Sequence, residues 1–210
     1  LLQENVFDDI WIQPASGDAG SAVGAALIGW HEYLKKPREV NPSDSMKGTY
    51  LGCNFSNEEI VNYLKHITAP FETYQDEELF EKIALQLEQG KVIGWFNGPM
   101  EFGPRALGAR SIIGDPRNQE MQSVMNLKIK YRESFRPFAP SVLEEDVASQ
   151  FELNNKSPYM LFVSPVKKEL CTEMTEEQKQ LFGIDKLNMP RSTLPAISHI
   201  DYSARVQTVS

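Results

Sequence analysis

Apolar positions along the chain switch between helical and strand-like spacing. In "SNEEIVNYLKHI", Ile60, Val61, Leu64 and Ile67 recur at helical intervals, and Ser56 and Glu59 are spaced as a capping box. Asp76 opens a second predicted helix with Leu79, Phe80, Ile83 and Leu87 on one face and Gly90 as its stop. "KVIGWF" reads as a buried strand broken by the turn "NGP". Beyond it, "DPRNQEMQSVMNLKI" predicts a helix carrying Met121, Val124 and Met125 inward. "PFAPSVL" and "YMLFVSPV" predict strands, and "TEEQKQLFG" a capped helix ending at Gly183. At the start, "IWI" predicts a short strand, "QPASGD" a turn and "AGSAVGAALIGWHEYL" a helix whose first turns are small residues, open to close approach by another backbone or a ligand. Asp18 falls where that helix begins, either as its N-cap or beside an anion or metal-bridged phosphate at the free N–H groups. Residues 36–49, rich in proline and charge without periodicity, read as a linker. Alternating strands and helices predict an α/β chain, with α+β as the other architecture.

Length admits a single large α/β domain, or a main domain with a piece of another. A formal net charge of -8 argues against a general binder of nucleic acid or anionic membrane. Cys53 and Cys171 stand far apart with no CxxC spacing, which suits free thiols in a reducing cytoplasm better than a disulfide or zinc site. No apolar run approaches the ~20 residues that span a bilayer. The chain enters directly at a strand-like segment without an initiating Met, so a portion of a longer protein is expected.

Charge is unevenly distributed, and that changes the picture. Residues 91–136 hold eight basic residues against four acidic ones, a local net charge of +4. Several lie among Gly, Pro and aromatic residues, where an unpaired cation costs several kcal/mol, on the order of the penalty for an uncompensated buried charge. Arg105 and Arg110 can pair with Glu101, Asp115 or Glu133 and tie loops together, or they can bind an anion; four acids cannot neutralise the whole group. In "KIKYR" the alternation of Lys128, Lys130 and Arg132 places all three on one face of an extended segment, a site suited to a phosphoanhydride or acyl phosphate. The glycine-rich stretch itself matches neither the P-loop nor the dinucleotide fingerprint.

Three long motifs, "GWFNGPMEFGPRALGARSIIGDPRN", "KIKYRESFRPFAPSVLEE" and "LPAISHIDYSARVQTVS", resemble in order and spacing the carboxy-terminal half of the O-carbamoyltransferases that modify nodulation factors and antibiotics. "PASGDAGSAVGAAL" resembles the last element of the preceding domain in that family. The resemblance implies a YrdC-like open twisted sheet with flanking helices over residues 50–210. It implies a terminal strand-helix piece of an actin-like ATPase-fold domain over residues 1–35, with the linker 36–49 between them. It implies that ATP and carbamoyl phosphate form carbamoyl adenylate with loss of pyrophosphate and phosphate, and that the carbamoyl group passes to an alcohol of a small-molecule acceptor in a cytoplasmic biosynthetic reaction.

Carried over by position, Arg105, Lys130 and Arg132 are the catalytic candidates, and these with Arg136 and Arg205 bind substrate or nucleotide, Arg110 and Arg136 in supporting positions. Mg2+ would accompany ATP. Asp18 matches an aspartate that helps hold a divalent metal, with iron the expected ion, beside two histidines of an earlier segment; His31, His66 and His199 lack the spacing to replace them. Pro99 stands where the family commonly carries arginine, and Asn97 replaces a glutamine, which removes a phosphate contact or moves it elsewhere. An "NTSFN" stretch that completes the nucleotide pocket lies beyond Ser210, so a YrdC-like domain truncated at its carboxy-terminal end and inactive alone is expected. Other readings are a nucleotide- or RNA-binding module without catalysis and a degenerate paralogue. Homo-oligomerisation stays open.

Overall fold

β5 (Ser203–Val209) is the strand on which the carboxy-terminal half is assembled in the computed structural model, which describes residue 4, residues 6–8 and residues 10–210. β5 lies between β3 (Ser141–Leu143), to which it is parallel, and β4 (Phe162–Pro165), to which it is antiparallel. Covered on both faces, it holds Ala204 and Val206 at zero exposure. Met121, Met125, Val147, Phe151, Leu153, Val166, Ala196 and Ile197 pack with them as one core. Each large side chain fully removed from water there contributes about 1.5–3 kcal/mol. Ser203, Gln207 and Thr208 are tolerated in this central strand because each finds a partner: Ser203 Oγ donates to Asp201 Oδ1 at 2.7 Å, Gln207 Nε2 donates to the Leu107 carbonyl at 2.8 Å, and Thr208 Oγ1 accepts the Ser157 amide at 2.8 Å.

A second sheet pairs β1 (Ile93–Phe96) with β2 (Arg110–Ile113), antiparallel, in register from Ile93↔Ile113 to Phe96↔Arg110. "KVIGWF" thus holds a strand, over Ile93–Phe96, but not the buried one predicted, since none of its four residues is buried and Phe96 is 65% exposed; residues 97–109 form the loop joining the pair. Ahead of it lie α1 (Asp18–Ile28), α2 (Asn57–His66) and α3 (Asp76–Glu88). The capping box of α2 is present: Glu59 N–H donates to Ser56 Oγ at 3.2 Å, and Ser56 N–H donates to Glu59 Oε2 at 2.8 Å. α3 begins at Asp76, and Gly90, at φ +75°, stands just past its end.

Short helices complete the chain: α4 (Met121–Val124), α5 (Val147–Gln150), α6 (Glu176–Lys179) and α7 (Gly183–Leu187). The result is mixed α/β with small sheets. Among the described residues no helix is long and apolar enough to cross a membrane.

Several expectations are corrected. "IWI" (10–12) is not a strand but irregular chain leading into the turn before α1. Gly17, not Asp18, is the N-cap of α1; Asp18 is the first helical residue, where its charge favours the positive end of the helix. The helix expected over 115–129 is confined to α4 followed by a wide π-type turn, Met125–Lys130. "KIKYR" is therefore not extended: Lys128 and Lys130 lie in that turn, and Tyr131 turns the chain at φ 49°, ψ 50°. Lys128, Lys130 and Arg132 consequently do not share the face of a strand. The helix read to end at Gly183 stops at Lys179, although Thr175 and Gln178 cap its start as their spacing suggests. Gly183, at φ +62°, instead opens α7.

Candidate functional site

The β1–β2 loop is bent around the carboxylate of one of its own residues. Glu101 Oε1 accepts the Leu107 and Ala109 amides at 2.5 and 3.0 Å, and Oε2 accepts the Arg110 amide at 3.2 Å. Gly103 (φ +121°) and Gly108 (φ +129°) take backbone conformations closed to most side chains, which lets so few residues turn back on Glu101. A side chain at Gly103 would also meet Ala15 Cβ at 3.1 Å, so the "PASGD" turn abuts this loop. The loop is anchored from outside at two further points. Phe102 N–H donates to the Thr49 carbonyl at 2.7 Å, and buried Gln207 of β5 donates Nε2 to the Leu107 carbonyl at 2.8 Å while accepting Ser141 Oγ at 2.9 Å.

Arg105 stands exposed on this loop, lining a cleft of ≈ 220 Å³ with Met100, Glu101, Gly103 and Arg110. Among the described residues it has no carboxylate partner. Arg205, on β5 opposite Val163, is half-buried with its Nε buried and unpartnered. Burial first, and the neighbouring charge of Arg105 second, push the Arg205 guanidinium down from its ordinary range. Arg105 thus acts on Arg205 as a like charge, and neither makes an ion pair among the described residues.

The remaining sequence candidates fall elsewhere. Arg110 donates to the carbonyls of Asn97, Gly98 and Ala109 at 3.0, 3.1 and 2.9 Å and lies 3.4 Å over the Phe96 ring, a clamp on the "NGP" turn. Arg132 donates Nε to Asn126 Oδ1 at 2.6 Å and lies 5.0 Å from the Phe138 ring, so it fastens its own turn. Arg136 pairs with Glu133 at 2.9 Å, both half-exposed. Lys130 is exposed at the end of the turn, without an ion pair among the described residues. Three of the four acids of the basic segment are therefore engaged away from Arg105: Glu101 on backbone amides, Asp115 on Arg117 at 2.8 Å, Glu133 on Arg136. The hydrogen bond from Arg117 is the main cause holding the Asp115 carboxyl low.

Three residues that organise the site escaped the sequence reading. Glu101 was counted only as a partner for arginine. Asn126, wholly buried, donates Nδ2 to the Ser134 and Arg136 carbonyls at 3.0 and 2.7 Å; its one sequence signal is an amide set among the inward-facing Met121, Val124 and Met125. Gln207, in "VQTV", gives a similar signal, a buried amide inside an apolar strand.

A larger cavity of ≈ 520 Å³ lies between residues 10–12, 41–46 and 156–162. At its edge the Tyr159 hydroxyl donates to the Asp44 carboxylate and accepts the Gly48 amide at 3.2 Å. Burial, then Asp44, push the Tyr159 hydroxyl up to about 12. Among the described residues no three His, Cys, Asp or Glu side chains converge as a metal site. Asp18 has no such companions, and His31 engages the Lys36 carbonyl through Nδ1 at 3.0 Å. These residues do not fit the metal by themselves.

A glycine-shaped loop on a mixed α/β scaffold thus presents Arg105 without an ion pair among the described residues, and a planar guanidinium so placed suits an anion. Comparison with known proteins makes this specific. The family model for the carbamoyltransferase carboxy-terminus matches residues 84–210, and that for the carbamoyltransferase amino-terminus matches residues 1–27. The chain belongs to the carbamoyltransferase family. It is 64% identical over its whole length to a Synechocystis protein, of which it covers 34%. It is 39% identical, again over its whole length, to nodulation protein NolO of Bradyrhizobium diazoefficiens, covering 35% of it. It is 29% identical over 97% of its length to 3'-hydroxymethylcephem-O-carbamoyltransferase of Amycolatopsis lactamdurans, covering 32%. The chain thus spans about a third of the length of the curated relatives it matches.

Proposed function

We propose that the chain is the carbamoyl-phosphate- and ATP-handling part of an O-carbamoyltransferase. The observation that carries this is Arg105, exposed and lining a cleft of ≈ 220 Å³ without an ion pair among the described residues, with Arg205, whose Nε is buried and unpartnered, adding like charge to it. A phosphate or acyl phosphate supplies the missing charge in geometry that a planar guanidinium matches. In the balanced reaction, carbamoyl phosphate takes up one water and releases phosphate. The carbamate oxygen then attacks the α-phosphorus of ATP, pyrophosphate leaves, and carbamoyl adenylate remains. The acceptor hydroxyl next displaces AMP from the carbamoyl carbon.

Arg105 and Arg205 would hold the anionic donor, and Lys130, exposed at the end of its turn, would reach the nucleotide phosphates. Bringing these anions together is repulsive, and fixed cations lower that repulsion before reaction. Arg132 and Arg136 act behind them, shaping the turn that carries Lys130. Mg2+ would neutralise the ATP phosphates, held by phosphate oxygens and water. Pro99 and Asn97 leave this arrangement intact, since their turn is held through the main-chain carbonyls that Arg110 grips. Residues 1–35 would close an actin-like domain, residues 36–49 link it, and residues 50–210 belong to a YrdC-like domain. The NolO and cephem-carbamoyltransferase relatives support a hydroxyl-bearing small molecule as acceptor.

Isotope exchange in the intact protein tests this. Labelled pyrophosphate should enter ATP only when carbamoyl phosphate is supplied, and Arg105→Ala should slow that exchange at least ~10-fold, the loss of one charge-assisted contact of about 1.5 kcal/mol. No label in ATP rules out the adenylate route; an unchanged rate in Arg105→Ala removes that residue from the site.

A further inference from the structure

We infer that Glu101 is the positioning residue for Arg105. The inference rests on the reading of the Arg105 cleft as the carbamoyl phosphate site. A carboxylate four residues before an arginine, both lining one small cleft, would be expected to form an ion pair with it. Glu101 does not: its two oxygens accept the amides of Leu107, Ala109 and Arg110, on the far side of the loop. This has two consequences for Arg105.

The first is geometric. The carboxylate binds the returning limb of the loop to its outgoing limb, so the Gly103–Ala106 tip cannot open without breaking three charge-assisted hydrogen bonds. Gln207 fixes the same limb from the core through the Leu107 carbonyl, and Thr49 fixes the outgoing limb at Phe102. Arg105, whose side chain makes no ion pair among the described residues, thereby springs from a rigid backbone. The second is electrostatic. With Glu101 satisfied by amides, Arg105 keeps its full charge for an incoming anion. A loop closed instead by a Glu101–Arg105 pair would have to break that pair to bind. Glu101 therefore acts through Arg105 without touching the ligand.

The test is carbamoyl phosphate binding by calorimetry, together with pyrophosphate exchange kinetics, in the intact protein carrying Glu101→Gln, Arg105→Ala or both. Glutamine keeps the shape but turns one acceptor into a donor facing an amide. Expected are a Kd and a KM for carbamoyl phosphate at least tenfold higher in Glu101→Gln, with KM for ATP within twofold of wild type. In the Arg105→Ala background the same change should cost less than twofold. Gln207→Ala, which frees the loop from its other side, should raise the same KM selectively. Additive losses in the double variant, or KM values for both substrates rising together, overturn the positioning role. So does loss of folding in both Glu101→Gln and Gln207→Ala, since that assigns the residues to the fold. If wild type itself does not bind carbamoyl phosphate, the reading of the cleft fails and this inference with it; if wild type binds and only the selectivity is missing, the inference alone fails.

Discussion

Replacing Asn126 by alanine should destabilise the protein by about 3 kcal/mol, the sum of three hydrogen bonds at about 1 kcal/mol each. The side chain is at zero exposure and serves three groups of the 131–136 turn: the Ser134 and Arg136 carbonyls through Nδ2, and Arg132 Nε through Oδ1. The estimate stays near the low end per bond because Arg136 is exposed and Ser134 half-exposed, so water can reach part of the turn once it loosens. The Arg132 bond is charge-assisted and weighs more, and alanine also leaves a cavity in which Met121 and Met125 lose a neighbour. Urea unfolding monitored by tryptophan fluorescence reads this directly. At a slope of ~2 kcal/mol per molar, the midpoint should fall by ~1.5 M with the slope unchanged. Asn126→Asp sharpens the attribution: it keeps the acceptor for Arg132 but turns an oxygen toward two carbonyl oxygens, so it should be as destabilising as alanine at neutral pH. A midpoint shift below ~0.5 M for Asn126→Ala would refute the reasoning, because it would mean that the turn does not depend on this amide.

Tyr159→Phe should cost about 1 kcal/mol, one hydrogen bond to a carboxylate discounted for partial exposure, and it should alter the alkaline limb of stability. The hydroxyl is raised from its ordinary 10 to about 12, by burial first and Asp44 second, so its contribution is complete below pH 10 and disappears as pH rises through about 12. Chemical denaturation midpoints from pH 8 to 11.5 should decline in wild type as that window is entered, and this part of the decline should be missing in Tyr159→Phe. His199 is shifted the other way: burial chiefly, opposed by Asp201 and aided by Arg205, lowers it below 6.5. The unfolded chain then takes up more protons there, so stability should fall as pH drops below 6.5, and His199→Gln should flatten that dependence. Arg110→Lys should lower stability by about 1–2 kcal/mol, because an ammonium cannot serve three carbonyls and stack on Phe96 together; the KM for carbamoyl phosphate should move less than in Arg105→Lys.

What was legible in the sequence was local. The α2 capping box and the β1 strand involve residues within a few positions of one another, and both stand where their spacing puts them. β5 was missed because "SARVQTV" owes its strand to partners far away, β3 and β4, and to polar residues satisfied by Ser157 and Leu107, which no local period encodes. "KIKYR" failed for a related reason. Alternating cations suit a strand only if the backbone is extended, and buried Asn126 wins that contest by gathering residues 132, 134 and 136 around one amide. Of the cations that the motif resemblance named, Arg105, Lys130, Arg132, Arg136 and Arg205, the structure engages Arg132 with Asn126 and Arg136 with Glu133, a sorting that composition alone offered no means of making.

The excess of bases over acids in residues 91–136 was a sound signal, yet counting charges understates how strongly it points to a ligand. A count assumes that every carboxylate is available to the nearest guanidinium. Here Glu101 is bound to amides, while Asp115 and Glu133 are bound to Arg117 and Arg136, which lie outside the Arg105 cleft. The positive charge left at Arg105 and Arg205 thus follows from the direction of hydrogen bonds more than from the number of acids. The same logic separates two kinds of arginine in one short motif. Arg110 is neutralised in effect by three carbonyl dipoles and an aromatic face, and it builds the loop. Arg105, five residues earlier, has no such partner among the described residues, which is why the proposed anion site is placed on it and not on Arg110.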